Sequence, residues 1–173
     1  MTNKFQLSKS KSQSRGFTLV ELLVVIGIIG LLAGLIVANF GGARARARDS
    51  VRKSDLKQLK NALRLYYNDY QVNPGDDGSG RVLGCGASGD TLCSWGGAFS
   101  AGTGPTLYMG TLPTDPTPGV TYEYNQTGGG DNFCLVSTIE NASDESAGES
   151  QARCSTGCSG VTLVVLNYVE CAD

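Results

Sequence analysis

Hydrophobic positions are spread very unevenly along this chain. From Phe17 to Phe40 they are nearly continuous, a run of 24 residues interrupted by Thr18, Glu21, Gly27, Gly30, Gly34 and Asn39. Such a stretch is too apolar to be one face of a soluble helix, and at roughly 1.5 Å per residue it reaches about 36 Å, enough to cross a bilayer. Gly27, Gly30 and Gly34 stand three and four residues apart. That spacing puts them on one helical face and lets another helix approach closely. From Ala43 to about Tyr70 the pattern changes: Leu56, Leu59, Leu63, Tyr66 or Tyr67, and Tyr70 recur every three to four residues. This is the period of a helix with one apolar face. Charge occupies the other face, where Asp49 with Arg52 and Lys53 reads as exposed pairs worth a few tenths of a kcal/mol each. Asn73-Pro74-Gly75 supplies a stop. A helix from Phe17 to about Tyr70 would be about 80 Å long. Its aromatic stripe is expected to be buried against a sheet rather than to serve as a ligand platform.

Beyond the helix, residues 75–118 are rich in Gly, Ser, Thr and Pro, so a variable loop region with sparse regular structure is expected. Alternating positions then predict a strand over Gly119–Tyr124, followed by a turn at the Gly-Gly-Gly-Asp of residues 128–131. Phe133–Glu140 and Val161–Val169 read as two more strands separated by a polar loop. Three antiparallel strands would cover the helix stripe, which makes the chain α+β.

Charge sharpens this division. The residues before the apolar run carry Lys4, Lys9, Lys11 and Arg15 and no acid. Between Gly41 and Arg64 eight basic residues oppose Asp49 and Asp55, and from Leu65 onward only Arg81 and Arg153 oppose thirteen acids. The basic stretch reads as a solvated helix face that prefers a membrane surface. Nucleic-acid binding there is disfavoured, because the acidic remainder would repel phosphate. The chain has no histidine, which removes the commonest general base near neutral pH and the commonest metal ligand. With no Gly-x-Ser-x-Gly, phosphate loop or zinc-protease helix, a structural or binding protein is expected rather than an enzyme.

The six cysteines, Cys85, Cys93, Cys134, Cys154, Cys158 and Cys171, all lie after the helix. They read as a disulfide framework with fifteen pairings open. Cys85 with Cys93 is the best local pairing; Cys154 and Cys158, with three residues between them, could pair with each other, or either could pair with Cys134 or Cys171. Zinc binding would need paired Cys-x-x-Cys knuckles, which are absent.

The run Arg15-Gly16-Phe17-Thr18-Leu19-Val20-Glu21-Leu22-Leu23-Val24-Val25-Ile26 resembles the class III signal of type IV pilins and type II secretion pseudopilins. The resemblance implies that a prepilin peptidase on the cytoplasmic face cuts after Gly16 and methylates the new amino terminus at Phe17. It also implies that Glu21, the fifth mature residue, pairs with the amine of a neighbouring subunit. Glu21 is the only ionisable side chain in the run, and a charge in hydrocarbon costs about 2.5–3.5 kcal/mol on insertion scales, so a partner is expected. Many members of the family have a proline where this chain has Ala38, with Gly41-Gly42 a turn further on. Leu112-Pro113-Thr114-Asp115-Pro116 through Tyr122 and Tyr124 is similar to a segment of the major, G-type pseudopilins.

The resemblance implies a pilin-like fold with a leader at 1–16, a transmembrane and assembly helix at 17–40, an amphipathic helix at 41–72, the variable region at 73–118 and an antiparallel head at 119–173. Implied partners are further copies in a helical homopolymer, minor pilins or pseudopilins, the prepilin peptidase and an inner-membrane assembly platform. Nucleic acid would be a partner only of a DNA-uptake pilus. The implied location is the bacterial cytoplasmic membrane, head outward, and then the fibre. The G-type resemblance also implies a calcium-binding loop at Asp144, Glu145 and Glu149; without it no cofactor is expected, and acidic loops are usually just solvated.

Overall fold

The computed structural model describes residues 16–172, apart from the side chains of residues 35 and 37–39. The expected leader, Gly16 excepted, lies outside them. One helix, α1, runs Leu19–Tyr70. The chain divides into two compact units at Gly41 and Gly42, inside that helix.

In the first unit every described side chain is exposed. Among the described residues no helix is long and apolar enough to cross a membrane.

The second unit is built around the remainder of α1. Leu56, Leu59 and Leu63 are completely buried, and burying a side chain of this size contributes roughly 1.5–3 kcal/mol. The helix ends where Gln71 takes a left-handed conformation, φ 56°, with its N–H bonded to the Tyr67 carbonyl at 2.7 Å. This is the usual way to turn a chain out of a helix, here without the customary glycine. Asn73 then holds the Gly130 carbonyl through both its N–H and its side chain, at 2.9 and 3.0 Å. Gly130 cannot be replaced without strain: its φ is 104°, and a Cβ there would lie 2.4 Å from Val72 Cγ2.

Residues 75–118 are more ordered than their composition implied. They form a three-stranded antiparallel sheet, β1 (Gly75–Asp76), β2 (Val82–Cys85) and β3 (Thr91–Leu92), and a two-stranded one, β4 (Phe99–Ala101) and β5 (Thr106–Met109). Short strands separated by positive-φ glycines carry too little periodicity to show in sequence. It is this region that covers the aromatic stripe. The Tyr66 ring stacks on Phe99 with centroids 5.5 Å apart and meets the edge of Tyr108 at 5.3 Å.

The head sheet has the order β6-β7-β8 and is antiparallel: β6 is Glu123–Thr127, β7 is Asn132–Thr138 and β8 is Asn167–Cys171. Three strands were expected, but the first and last are displaced toward the carboxyl end. Val161–Leu166 does not join the sheet, and the supposed polar loop contains a helix, α2, at Ser146–Arg153. Cys134 lies opposite Cys171 in the β7–β8 register. Alternation then sends Phe133, Leu135 and Tyr168 into the core with α1, while Cys134, Val136, Val169 and Cys171 form a second cluster with Cys154 and Cys158.

Candidate functional site

The candidates read from sequence fall in both units. In the first, Thr18 precedes the helix and its Oγ1 accepts the Glu21 backbone N–H at 3.2 Å. A Thr-x-x-Glu spacing at a helix start is half of a capping box, and losing such a cap costs about 1 kcal/mol. The spacing was legible in sequence but had been absorbed into the processing motif. Glu21 lies in the first turn, where a carboxylate also favours the helix dipole. Among the described residues its side chain has no hydrogen-bond or ion-pair partner. Phe17 is 76% exposed. Gly27, Gly30 and Gly34 have nothing within 4 Å of where a Cβ would stand. Among the described residues no contact requires glycine at those positions.

In the second unit the charged face of α1 is not the solvated surface that its spacing implied. Arg52 is 2% exposed and Asp49 1%. The Arg52 guanidinium holds Asp115 in a two-point pair, Nε to Oδ2 at 2.7 Å and Nη2 to Oδ1 at 2.9 Å. Its Nη1 reaches Asp49 Oδ1 at 2.8 Å and Glu140 Oε1 at 2.7 Å, and Nη2 also donates to Thr117 Oγ1 at 2.9 Å. Asp49 in turn accepts the backbone N–H groups of Glu140 and Asn141, both at 2.9 Å. Arg48 closes the cluster with Nε to Glu140 Oε1 at 2.7 Å. The short-range pairing of Asp49 with Arg52 was legible, but its burial was not, because burial depends on Asp115 and Glu140, 63 and 88 residues away.

The electrostatics follow from the geometry. The Asp115 hydrogen bonds, working against burial, hold the Arg52 guanidinium even more firmly protonated than usual. Burial alone would raise Asp115, but the bonds from Arg52 and the Thr117 N–H hold it below the ordinary carboxylate range. Glu140, bonded first by Arg48 and then by Arg52, is lowered to about 2. A buried ion pair gains little over apolar packing of the same shape, but deleting one partner strands the other charges. The cluster therefore acts as a register device that seats two loops, at residues 115–117 and 140–141, on one helical turn. Two tyrosines add to it: Tyr122 and Tyr108 donate to Asp55 and Asp69 of α1 at 2.7 and 2.8 Å. Desolvation, and then the neighbouring carboxylate, raises both hydroxyls.

The six cysteines form three disulfides, Cys85–Cys93, Cys134–Cys158 and Cys154–Cys171. The expected local pairing is found, and Cys154 and Cys158 each take a strand cysteine. The three acids proposed for calcium do not converge. Asp144 is bonded to Lys53 Nζ and to the Ser146 hydroxyl, while Glu145 and Glu149 are exposed on α2 and the residue before it. Among the described residues no group of three His, Cys, Asp or Glu side chains could hold a metal ion.

Residues 11–37 match the family model described as the prokaryotic N-terminal methylation motif. The chain is 38% identical over 64 residues to the type IV major pilin protein PilA of Myxococcus xanthus, which is 37% of this chain and 29% of that protein. It is 44% identical over 66 residues to the type II secretion system core protein G of Escherichia coli K12, or 38% and 46% of the two chains. The corresponding protein of Vibrio cholerae is 38% identical over 69 residues, 40% and 47% of the two chains. The matched stretch thus spans less than half the length of each of these relatives. No solved structure matches the chain. The amino-terminal segment carries the methylation motif of the pilins and pseudopilins, and the helix packed on small disulfide-linked antiparallel sheets is a pilin-like α+β fold.

Proposed function

We propose that this chain is a fibre subunit of the pilin type, most like the major pseudopilin of a type II secretion system, with a structural and not a catalytic role. In this reading residues 17–40 anchor the precursor in the cytoplasmic membrane with the head outside. A prepilin peptidase cuts after Gly16 and methylates Phe17, and an inner-membrane platform adds the subunit to a helical homopolymer that can include minor pilins or pseudopilins. The observation that carries the reading is the methylation motif on a helix whose described apolar side chains are exposed and whose three glycines have no neighbour among the described residues. An amine at Phe17 next to a helix N-terminus is unfavourable on its own. A carboxylate from another subunit relieves it in a low dielectric, where the attraction is far stronger than in water.

The match to a type IV pilin supports a second reading, a pilus subunit; a nucleic-acid partner would follow only if that pilus took up DNA. A monomeric anchored module would share the motif without the polymer. Glu21→Ala separates the monomeric module from both assembling readings. The Thr18 cap uses the Glu21 backbone, so the helix start survives the change. Sheared fibre, quantified from cells expressing the assembly machinery, should disappear while the processed subunit accumulates in the membrane. Glu21→Asp should restore part of it. Undiminished fibre from Glu21→Ala would reject the pairing.

A further inference from the structure

Among the described residues, the most exposed large apolar side chain stands on one turn of the second unit. Val164 is 58% and Val165 85% exposed. Turns are usually built from Gly, Asn, Asp or Ser, yet here valines stand outward on a tightly held backbone. The Val164 N–H is bonded to Asn167 Oδ1 at 2.8 Å, the Asn167 N–H to the Val164 carbonyl at 2.9 Å, and Gln151 Nε2 donates to the carbonyls of Val164 and Asn167 at 2.9 and 2.7 Å. An apolar knob already fixed in place loses little conformational freedom on binding. Beside it lies a groove of about 530 Å³ lined by Ala142, Ala147, Gly148 and Leu166 among others. Glu145 lines the groove and Glu149 is exposed on α2, and among the described residues neither side chain has a partner.

A complementary surface exists on the same chain. Ala43, Ala47 and Val51, four residues apart, form an exposed apolar stripe on α1. At 100° per residue the stripe faces away from Arg52, and Arg44 and Arg46 flank it on either side. Among the described residues those two arginines also have no ion-pair partner. The free acids border one apolar surface and the free arginines border the other.

We propose that the Val164–Val165 turn and its groove dock on the Ala43–Ala47–Val51 stripe of a second copy, with Glu145 and Glu149 set against Arg44 and Arg46. This deepens the fibre reading and rests on it. The two surfaces differ, so the contact is heterologous and propagates into an open helical filament rather than closing a dimer. The apolar knob supplies most of the affinity, and the exposed ion pairs mainly set orientation.

The test uses the full chain in cells with the peptidase and assembly machinery, reading sheared fibre together with the membrane level and non-reducing mobility of the subunit. Val165→Asp changes an exposed side chain and should lower fibre at least about tenfold at unchanged subunit level. Glu145→Arg with Glu149→Arg should lower it, as should Arg44→Glu with Arg46→Glu. Combining all four reversals should return fibre to within about threefold of the native yield. Normal fibre from Val165→Asp, or no recovery in the combined variant, overturns the docking proposal while native fibre leaves the functional reading intact. Absence of fibre from the native chain rejects that reading and the proposal with it.

Discussion

The two units of this chain invert the ordinary rule of what lies inside. In the first, the described large apolar side chains are exposed, and among the described residues the one carboxylate, Glu21, stands without a partner. In the second, an arginine and two aspartates are buried with their partners, and three disulfides tie the loops together. The contrast shows where each part finds its stabilisation. The head pairs the buried charges of Arg52, Asp49 and Asp115 within itself. Among the described residues, the amino-terminal helix leaves its apolar side chains exposed, and its three glycines would allow another helix to approach closely. On the proposed fibre reading, the amino-terminal helix is the part that depends most on neighbours.

The largest effect is expected where the head depends on a single buried side chain. Arg52→Ala strands Asp49 and Asp115 and should destabilise the head by about 3–5 kcal/mol, read by denaturant unfolding of the detergent-solubilised protein. A change under about 1 kcal/mol would mean that the cluster is solvated in solution.

Arg52 also marks the limit of what could be read in advance. The period of Leu56, Leu59 and Leu63, the three-strand head and the Cys85–Cys93 pair were legible because each is a local pattern. The buried cluster was not, since Asp49 and Arg52 at three residues apart look the same whether or not Asp115 folds over them. The strand placed at Val161–Val169 slipped toward the carboxyl end for a related reason. Cys171 must lie opposite Cys134 and reach Cys154, and those ties outrank the high β-propensity of Val161 to Leu166. The methylation motif was legible because it is a local run of residues, and it is matched over residues 11–37.

Next in size, replacing Cys134 and Cys158 by serine should cost about 3 kcal/mol, since that disulfide closes a loop of 24 residues in the unfolded chain. The head should lose stability while cleavage at Gly16 proceeds unchanged. Impaired cleavage would show that the units are not independent in this respect.

Acid should act on the head more gently. Glu140 is lowered from 4.5 to about 2, and Asp115 is lowered as well. A carboxylate with a depressed folded-state pKa stabilises above its unfolded pKa and loses that contribution as pH falls through the folded value. Stability should thus be level above about pH 5 and decline between roughly pH 4.5 and 2, and Arg52→Ala should flatten that decline. A native midpoint that rises with acid would contradict the assignment.

The smallest effect concerns metal. With Asp144 engaged by Lys53 and Ser146, added calcium or a chelator should move the head's melting temperature by less than about 1 °C, because little free site exists to link binding to folding. A shift of several degrees would place calcium in the acidic loop after all.

The most direct test of the central claim is the intact mass of the protein extracted without reductant, from cells with and without a prepilin peptidase. The account predicts residues 17–173 plus one methyl group, less the six hydrogens lost in the three disulfides, when the enzyme is present. A full-length, unmethylated mass in peptidase-containing cells would contradict it and leave an anchored domain with a buried charge cluster and no route into a fibre.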